Sequence, residues 1–150
     1  MASDALRRLV ALLGIVAAGC SITTRVDPLP AVSMPSVCIH ENEAVWSKQF
    51  LPMLRDQLGR HGISTTVFGE GRPADCRWHL EYEAQWKWDL AVYLRYADIR
   101  VFDGDALVGR ATYDARDGSG RLDKFGHTDE KLAPLLDALL AAVNRAAALR

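Results

Sequence analysis

The chain has 150 residues, of which 49% are hydrophobic, 25% charged and 8% aromatic; 18 Lys plus Arg face 19 Asp plus Glu, a formal net charge of −1. That balance describes one globular domain with a hydrophobic core and excludes collagen, coiled coil, a disordered tail and a multi-span membrane protein. No basic excess exists to neutralise phosphates, so no nucleic-acid partner is expected.

The chain opens with Arg7 and Arg8, an apolar run over residues 9–18, and small residues leading into Cys20. Ten apolar residues make about 15 Å of helix, against the roughly 30 Å of a bilayer core. Residues 1–19 therefore form a cleavable export signal rather than a membrane span. Ala17-Ala18-Gly19-Cys20 resembles the lipobox of bacterial lipoproteins, with Ala17 where Leu is usual. The resemblance implies lipid attachment at Cys20 and a cell-envelope location facing the periplasm. Ser21, by the sorting rule of such lipoproteins, implies the inner leaflet of the outer membrane. One acyl chain binds a bilayer marginally, and several make a durable anchor.

With Cys20 acylated, Cys38 and Cys76 remain. An even remainder in an exported chain suits a disulfide, with two buried free thiols as the alternative. Zinc is disfavoured, because no CxxC spacing occurs; neither metal nor cofactor is expected.

Residues 20–36 carry Pro28, Pro30 and Pro35 without helical or strand periodicity. They are expected to be a semi-rigid tether holding a domain over residues 37–150 up to about 50 Å from the anchor, although Val26 to Val32 could instead pack on the domain. Val37-Cys38-Ile39 suits a buried strand. Asn42 is placed to cap a helix carrying Val45, Trp46, Phe50, Met53, Leu54 and Leu58 at three- and four-residue steps, with Pro52 forcing a kink or a late start. Ile63 to Phe68 is a β-branched strand and residues 69–75 a loop. Trp78, Leu80, Tyr82, Ala84 and Trp86 alternate with polar residues, the pattern of a half-buried strand. Trp88-Asp89-Leu90 makes a turn into a strand over residues 91–102, with Tyr93, Ala97, Ile99 and Val101 inward. Asp103-Gly104-Asp105 is a hairpin turn, Leu107 to Asp114 the next strand, and Thr128 caps a last helix with a Leu132, Leu135, Leu136, Leu139, Leu140 and Val143 stripe. The order β-α-β-β-β-β-α predicts an α+β two-layer sandwich, a five-stranded mixed sheet with two helices on one face and the charged face of Arg77, His79, Glu81, Glu83, Gln85 and Lys87 toward solvent.

The lipobox, Cys38, Cys76, the stretch from Trp86 to Ala91, then Tyr93, Tyr96, Gly109, Tyr113-Asp114 and Lys124-Phe125 resemble a family of small Gram-negative envelope lipoproteins to which no activity is assigned. The resemblance implies a Cys38–Cys76 pair and the lipid on Cys20, and carries no catalytic residue.

No HExxH, GxSxG or phosphate-cradling glycine motif occurs. The four histidines are scattered, and Glu81 and Glu83 share a strand face with Arg77, Gln85 and Lys87, a mixed-charge surface rather than an acid/base pair. Trp86, Trp88 and Asp89 are candidate contacts for a partner or ligand, since tryptophan is enriched at binding hot spots; packing of both tryptophans in the core is the competing expectation. The function expected is a lipid-anchored, non-enzymatic binding or accessory module of the envelope, docking an envelope protein or polymer. The alternative is a small periplasmic hydrolase using carboxylates or histidine on the exposed sheet face.

Overall fold

The computed structural model describes residues 21–118 and 120–144. The expected export signal over residues 1–19 and the expected lipid-attachment residue Cys20 lie outside the described residues. The elements are β1 (Thr23–Asp27), β2 (Ser36–His40), α1 (Phe50–Arg60), β3 (Ser64–Phe68), β4 (Trp78–Asp89), β5 (Ala91–Asp103), β6 (Ala106–Asp114), a 3-10 turn at Leu122–Lys124, and α2 (Thr128–Leu139). One sheet runs in the order β1-β6-β5-β4-β2-β3. β2, β3 and β4 are parallel, and β4, β5, β6 and β1 are antiparallel.

Among the described residues the α+β class with two helices over a mixed sheet agrees with the sequence, but the sheet has six strands, not five. The sixth comes from the segment expected to be a tether, and the folded part begins at Thr23 instead of Val37. Thr23, Thr24 and Val26 are β-branched, and β1 pairs with β6 from Thr23↔Asp114 to Asp27↔Arg110. The chain after β1 is also fixed. Leu29 and Met34 are fully buried, and the Leu29 N–H donates to the Leu139 carbonyl at 2.9 Å. Asn144 clamps this segment: its side-chain oxygen accepts the Met34 N–H at 2.8 Å, its amide donates to the Met34 carbonyl at 3.1 Å, and its N–H donates to the Val32 carbonyl at 2.9 Å. Its φ of 58° is one that Asn tolerates. Gly109 makes room for Leu29, since a Cβ there would stand 2.8 Å from Leu29 Cγ and 3.0 Å from Leu139 Cδ1.

The alternation in β4 buries Trp78, Leu80, Tyr82 and Ala84. Register places Val101, Ile99 and Ala97 opposite the last three, then Ala111 and Tyr113 on β6. Both helices lie on this face: Phe50 of α1 packs on Tyr82 at 5.2 Å between ring centroids, and Lys131 of α2 reaches over Tyr113 at 5.5 Å. Leu54, Leu58, Leu132, Leu135, Leu136 and Leu139 complete the core. α1 starts late, at Phe50, which puts Pro52 in the first turn where its missing N–H leaves no helical bond unmade. Asn42 is therefore not its cap. It forms a turn instead, accepting the Ala44 N–H at 3.0 Å and donating to the Tyr82 carbonyl at 2.9 Å. Thr128 likewise is the first helical residue, behind His127 at the cap position.

The face away from the helices is polar but only partly open. Residues 69–77 carry the chain from β3 back to β4, and Arg72 in this loop donates to the Gly104 carbonyl at 2.8 Å, Asp105 at 3.0 Å and His79 Nδ1 at 3.1 Å. His79, expected in solvent, is buried and stacks on Phe102 at 4.6 Å. An arginine only donates, so His79 Nδ1 accepts and Nε2 carries the ring proton. The same loop ends in Cys76, which is disulfide-bonded to Cys38 of β2 across a sequence separation of 38. Further along the sheet, Asp98 is 3% exposed and accepts two bonds from Arg110, at 2.7 and 3.0 Å, and one from Thr112 at 3.3 Å.

Closing a loop of this length lowers the entropy of the unfolded chain by an amount worth about 4 kcal/mol. The Cys38→Ser/Cys76→Ser double variant should lose about that much unfolding free energy in urea titration relative to the oxidised protein. Burial, then the charge of Arg72, depresses the His79 pKa, against the pull of Glu81 and Asp105. The unfolded state then binds more protons than the folded state as pH falls through the ordinary histidine value near 6.5. This contribution is intact above that pH and is lost below it. The melting temperature should therefore drop as pH falls from neutral toward 5, and His79→Gln should flatten that dependence.

Candidate functional site

The β4–β5 hairpin is longer than the helical layer that covers the sheet. Phe50, the first residue of α1, meets Trp86 edge-on at 5.8 Å and 84°, and Trp46 from the preceding loop lies 6.2 Å from the same ring. Trp86 is thus half-buried, the last aromatic of the strand that a helix reaches. Trp88, two residues on, stands opposite Val92 in the register; it is 71% exposed and Val92 51%. The core expectation therefore holds in part for Trp86 and fails for Trp88, because the alternating pattern continues past the end of α1.

Leu90 forms the tip. Its φ is +61° and it is 82% exposed. An L-residue pays about 1–2 kcal/mol in this region, a cost that Gly or Asn largely avoids. An exposed leucine there serves neither the backbone nor the core.

Asp89 anchors the tip. It pairs with Lys124 Nζ, whose side chain is 4% exposed. Lys124 also lies 5.2 Å from the ring centroids of Tyr93 and Phe125, which themselves pack edge-on at 5.8 Å. Lys131 donates to the Lys124 carbonyl, and burial lowers its pKa. A buried ammonium without its carboxylate is strongly destabilising, so Asp89 holds the 3-10 turn against the hairpin base as well as bordering the tip.

The groups a hydrolase would use are on the open face. A depression of about 550 Å³ is lined by His40, Glu81, Glu83, Arg100 and further glutamates. Arg100 lies 3.4 Å from Glu81 and 3.6 Å from Glu83, so one guanidinium engages both carboxylates. His40 stacks on Phe68 at 5.1 Å. The remaining histidines are dispersed: His61 Nε2 is 2.7 Å from Asp137 Oδ1, and His127 precedes α2. Among the described residues no three His, Cys, Asp or Glu side chains are placed to hold a metal ion, and no helix is long and apolar enough to cross a membrane.

Trp86, Trp88 and Asp89 thus gather on one hairpin, whereas the Cys38–Cys76 bond lies toward the opposite end of β4, where Cys38 pairs with His79. Sequence reasoning missed Leu90 and Val92 as part of the exposed tip, Trp46 as a neighbour of Trp86, and Lys124 as the partner of Asp89. An apolar residue at a tight turn was the available signal for Leu90. Lys124 left none, since its partner is distant in sequence.

No family model matches the chain. No curated protein sequence matches it either. Solved structures similar in fold include a PelC dodecamer variant from Paraburkholderia phytofirmans in space group C2, with a TM-score of 0.54, and the PelC dodecamer from the same organism in space group P6, with a TM-score of 0.51. Each is 15% identical in sequence, and the match covers 81% of this chain and 96% of the PelC chain. At that identity the likeness is one of fold.

Proposed function

We propose that the chain is an exported lipoprotein, acylated at Cys20 in the cell envelope, that acts by binding through the β4–β5 hairpin rather than by catalysis. The observation that carries the reading is the hairpin tip. Trp88, Leu90 and Val92 are exposed on a base held by Asp89–Lys124 and by Phe50 against Trp86. A rigid scaffold presenting large apolar side chains is the arrangement from which binding hot spots are made. The backbone cost at Leu90 points the same way. The hydrolase alternative is weakened by Arg100, which engages both Glu81 and Glu83. The lipobox-like segment ending at Cys20 and the lipoprotein family resemblance support export and the outer-membrane location, and a disulfide between Cys38 and Cys76 suits an oxidising compartment.

A second reading, self-association, is favoured by β3. It is an edge strand of sequence Ser64-Thr65-Thr66-Val67-Phe68 without a charge, and uncharged edges invite strand pairing. The two PelC structures are dodecamers. Native mass spectrometry of the mature protein would show multimers on this reading and monomer alone against it.

Cys20→Ser should abolish incorporation of labelled palmitate and leave the uncleaved precursor in cells; a variant still acylated and processed normally would overturn the anchor. Leu90→Asn should leave the melting temperature unchanged or raise it, by up to about 1 kcal/mol in stability. A marked destabilisation would show that Leu90 serves the fold, and would remove the main support for a binding tip.

A further inference from the structure

A row of paired residues crosses the sheet: Thr23 on β1 faces Asp114 on β6, Asp114 faces Tyr96 on β5, and Tyr96 faces Gln85 on β4. β1 runs in the same direction as β5, so the chain preceding Thr23 leaves the sheet at the end from which the β4–β5 hairpin projects. Cys20 is three positions before Thr23, at most about 10 Å of extended chain. Leu90 is five positions beyond Gln85, about 16 Å along the strand. The lateral separation of β1 from β4 is three strand spacings, about 14 Å. The hairpin tip therefore projects from the same end of the sheet as the chain leading to Cys20, and reaches about 6 Å farther from the shared row than that chain can.

From this geometry we infer that the tip of the β4–β5 hairpin, Trp88, Leu90 and Val92, inserts into the interfacial region of the same lipid leaflet that holds the acyl chains on Cys20. The inference rests on the anchoring proposed above and names the occupant of that binding tip. The depth is that of interfacial side chains, which sit about 5–10 Å into the boundary between headgroups and acyl chains. The residue types fit as well. Tryptophan concentrates at the membrane–water interface, and the exposed Lys87 beside Trp88 offers a cation to anionic headgroups.

The distribution of exposed apolar side chains agrees. Among the described residues the large exposed ones are Trp46, Trp88, Leu90, Val92, Leu107 and Leu122. Trp88, Leu90 and Val92 are the tip. Trp46 is beside the hairpin through Trp86. Leu122 begins the 3-10 turn that Lys124 and Phe125 hold against Asp89 and Tyr93. Leu107 alone is at the far end, opposite Phe102. With β1 starting three positions after the lipid-bearing cysteine, no long spacer holds this surface away from the bilayer.

The test uses the lipidated protein purified from cells and reconstituted into phosphatidylethanolamine–phosphatidylglycerol vesicles, with and without bromine on the acyl chains. Tryptophan emission should be quenched in the brominated vesicles. Most of that quenching should be lost in Trp88→Phe, and Leu90→Asn should reduce it while Trp88 remains. Equal quenching in the wild type and in Trp88→Phe, with both proteins floating with the vesicles, would overturn the hairpin contact and leave the anchor standing. A protein that neither floats nor carries acyl mass would overturn the anchor, and the inference with it. Trp88 unquenched in vesicles but crosslinked to a protein in intact cells would assign the tip to a protein partner and contradict insertion.

Discussion

The antiparallel pairing of β1 with β6 is the constraint on which the rest depends. It turns a proline-containing segment that could have been a spacer into part of the sheet. It also fixes which end of the domain receives the amino-terminal chain. Three further contacts hold it in place: Leu29 under α2, the Leu29–Leu139 backbone bond and the Asn144 clamp on Val32 and Met34. None of these is large alone, since a net hydrogen bond contributes about 1 kcal/mol. Together with burial of Leu29 and Met34 they give the segment a defined path.

A second constraint is the unequal length of the two layers. β4 and β5 continue beyond the point where Phe50 begins α1, so apolar residues that would be core elsewhere emerge into solvent. The emerging hairpin is stiffened at its base by the Lys124–Asp89 pair and by the aromatic contacts of Trp86. At the other end of the sheet the disulfide and Arg72 close the 69–77 loop over His79. One end is thus sealed and covalently tied, and the other presents the exposed tip.

Much of this architecture was legible in the sequence where local pattern and tertiary packing agree. The alternation from Trp78 to Trp86, the turn at Gly104 and the leucine stripe of α2 each correspond to an observed element. β1 was obscured because its single inward apolar residue, Val26, gives no periodic signal and Pro28, Pro30 and Pro35 just after it suggest an extended spacer; the partner strand β6 is distant in sequence. The helix start was displaced from Asn42 to Phe50 because the side chain of Asn42 found a better use, bonding Tyr82 and Ala44. At the candidate site the tryptophans were visible as residue types, but exposure depends on where α1 begins relative to the hairpin. Period-two spacing placed Trp86 and Trp88 on one face and carried no information on how far the helical cover extends.

Amide hydrogen exchange over residues 23–34 of the protein tests the central constraint most directly. If β1 is a strand of the sheet and the following segment is clamped, the amides that bond β6 and the Leu29 and Met34 amides will exchange slowly, close to the rate of the neighbouring β6 amides. Exchange of the whole stretch at the rate of a free peptide would contradict the account: the proposed anchor at Cys20 would then lie at the end of a loose spacer, and the inferred contact of the hairpin with lipid would lose its geometric basis.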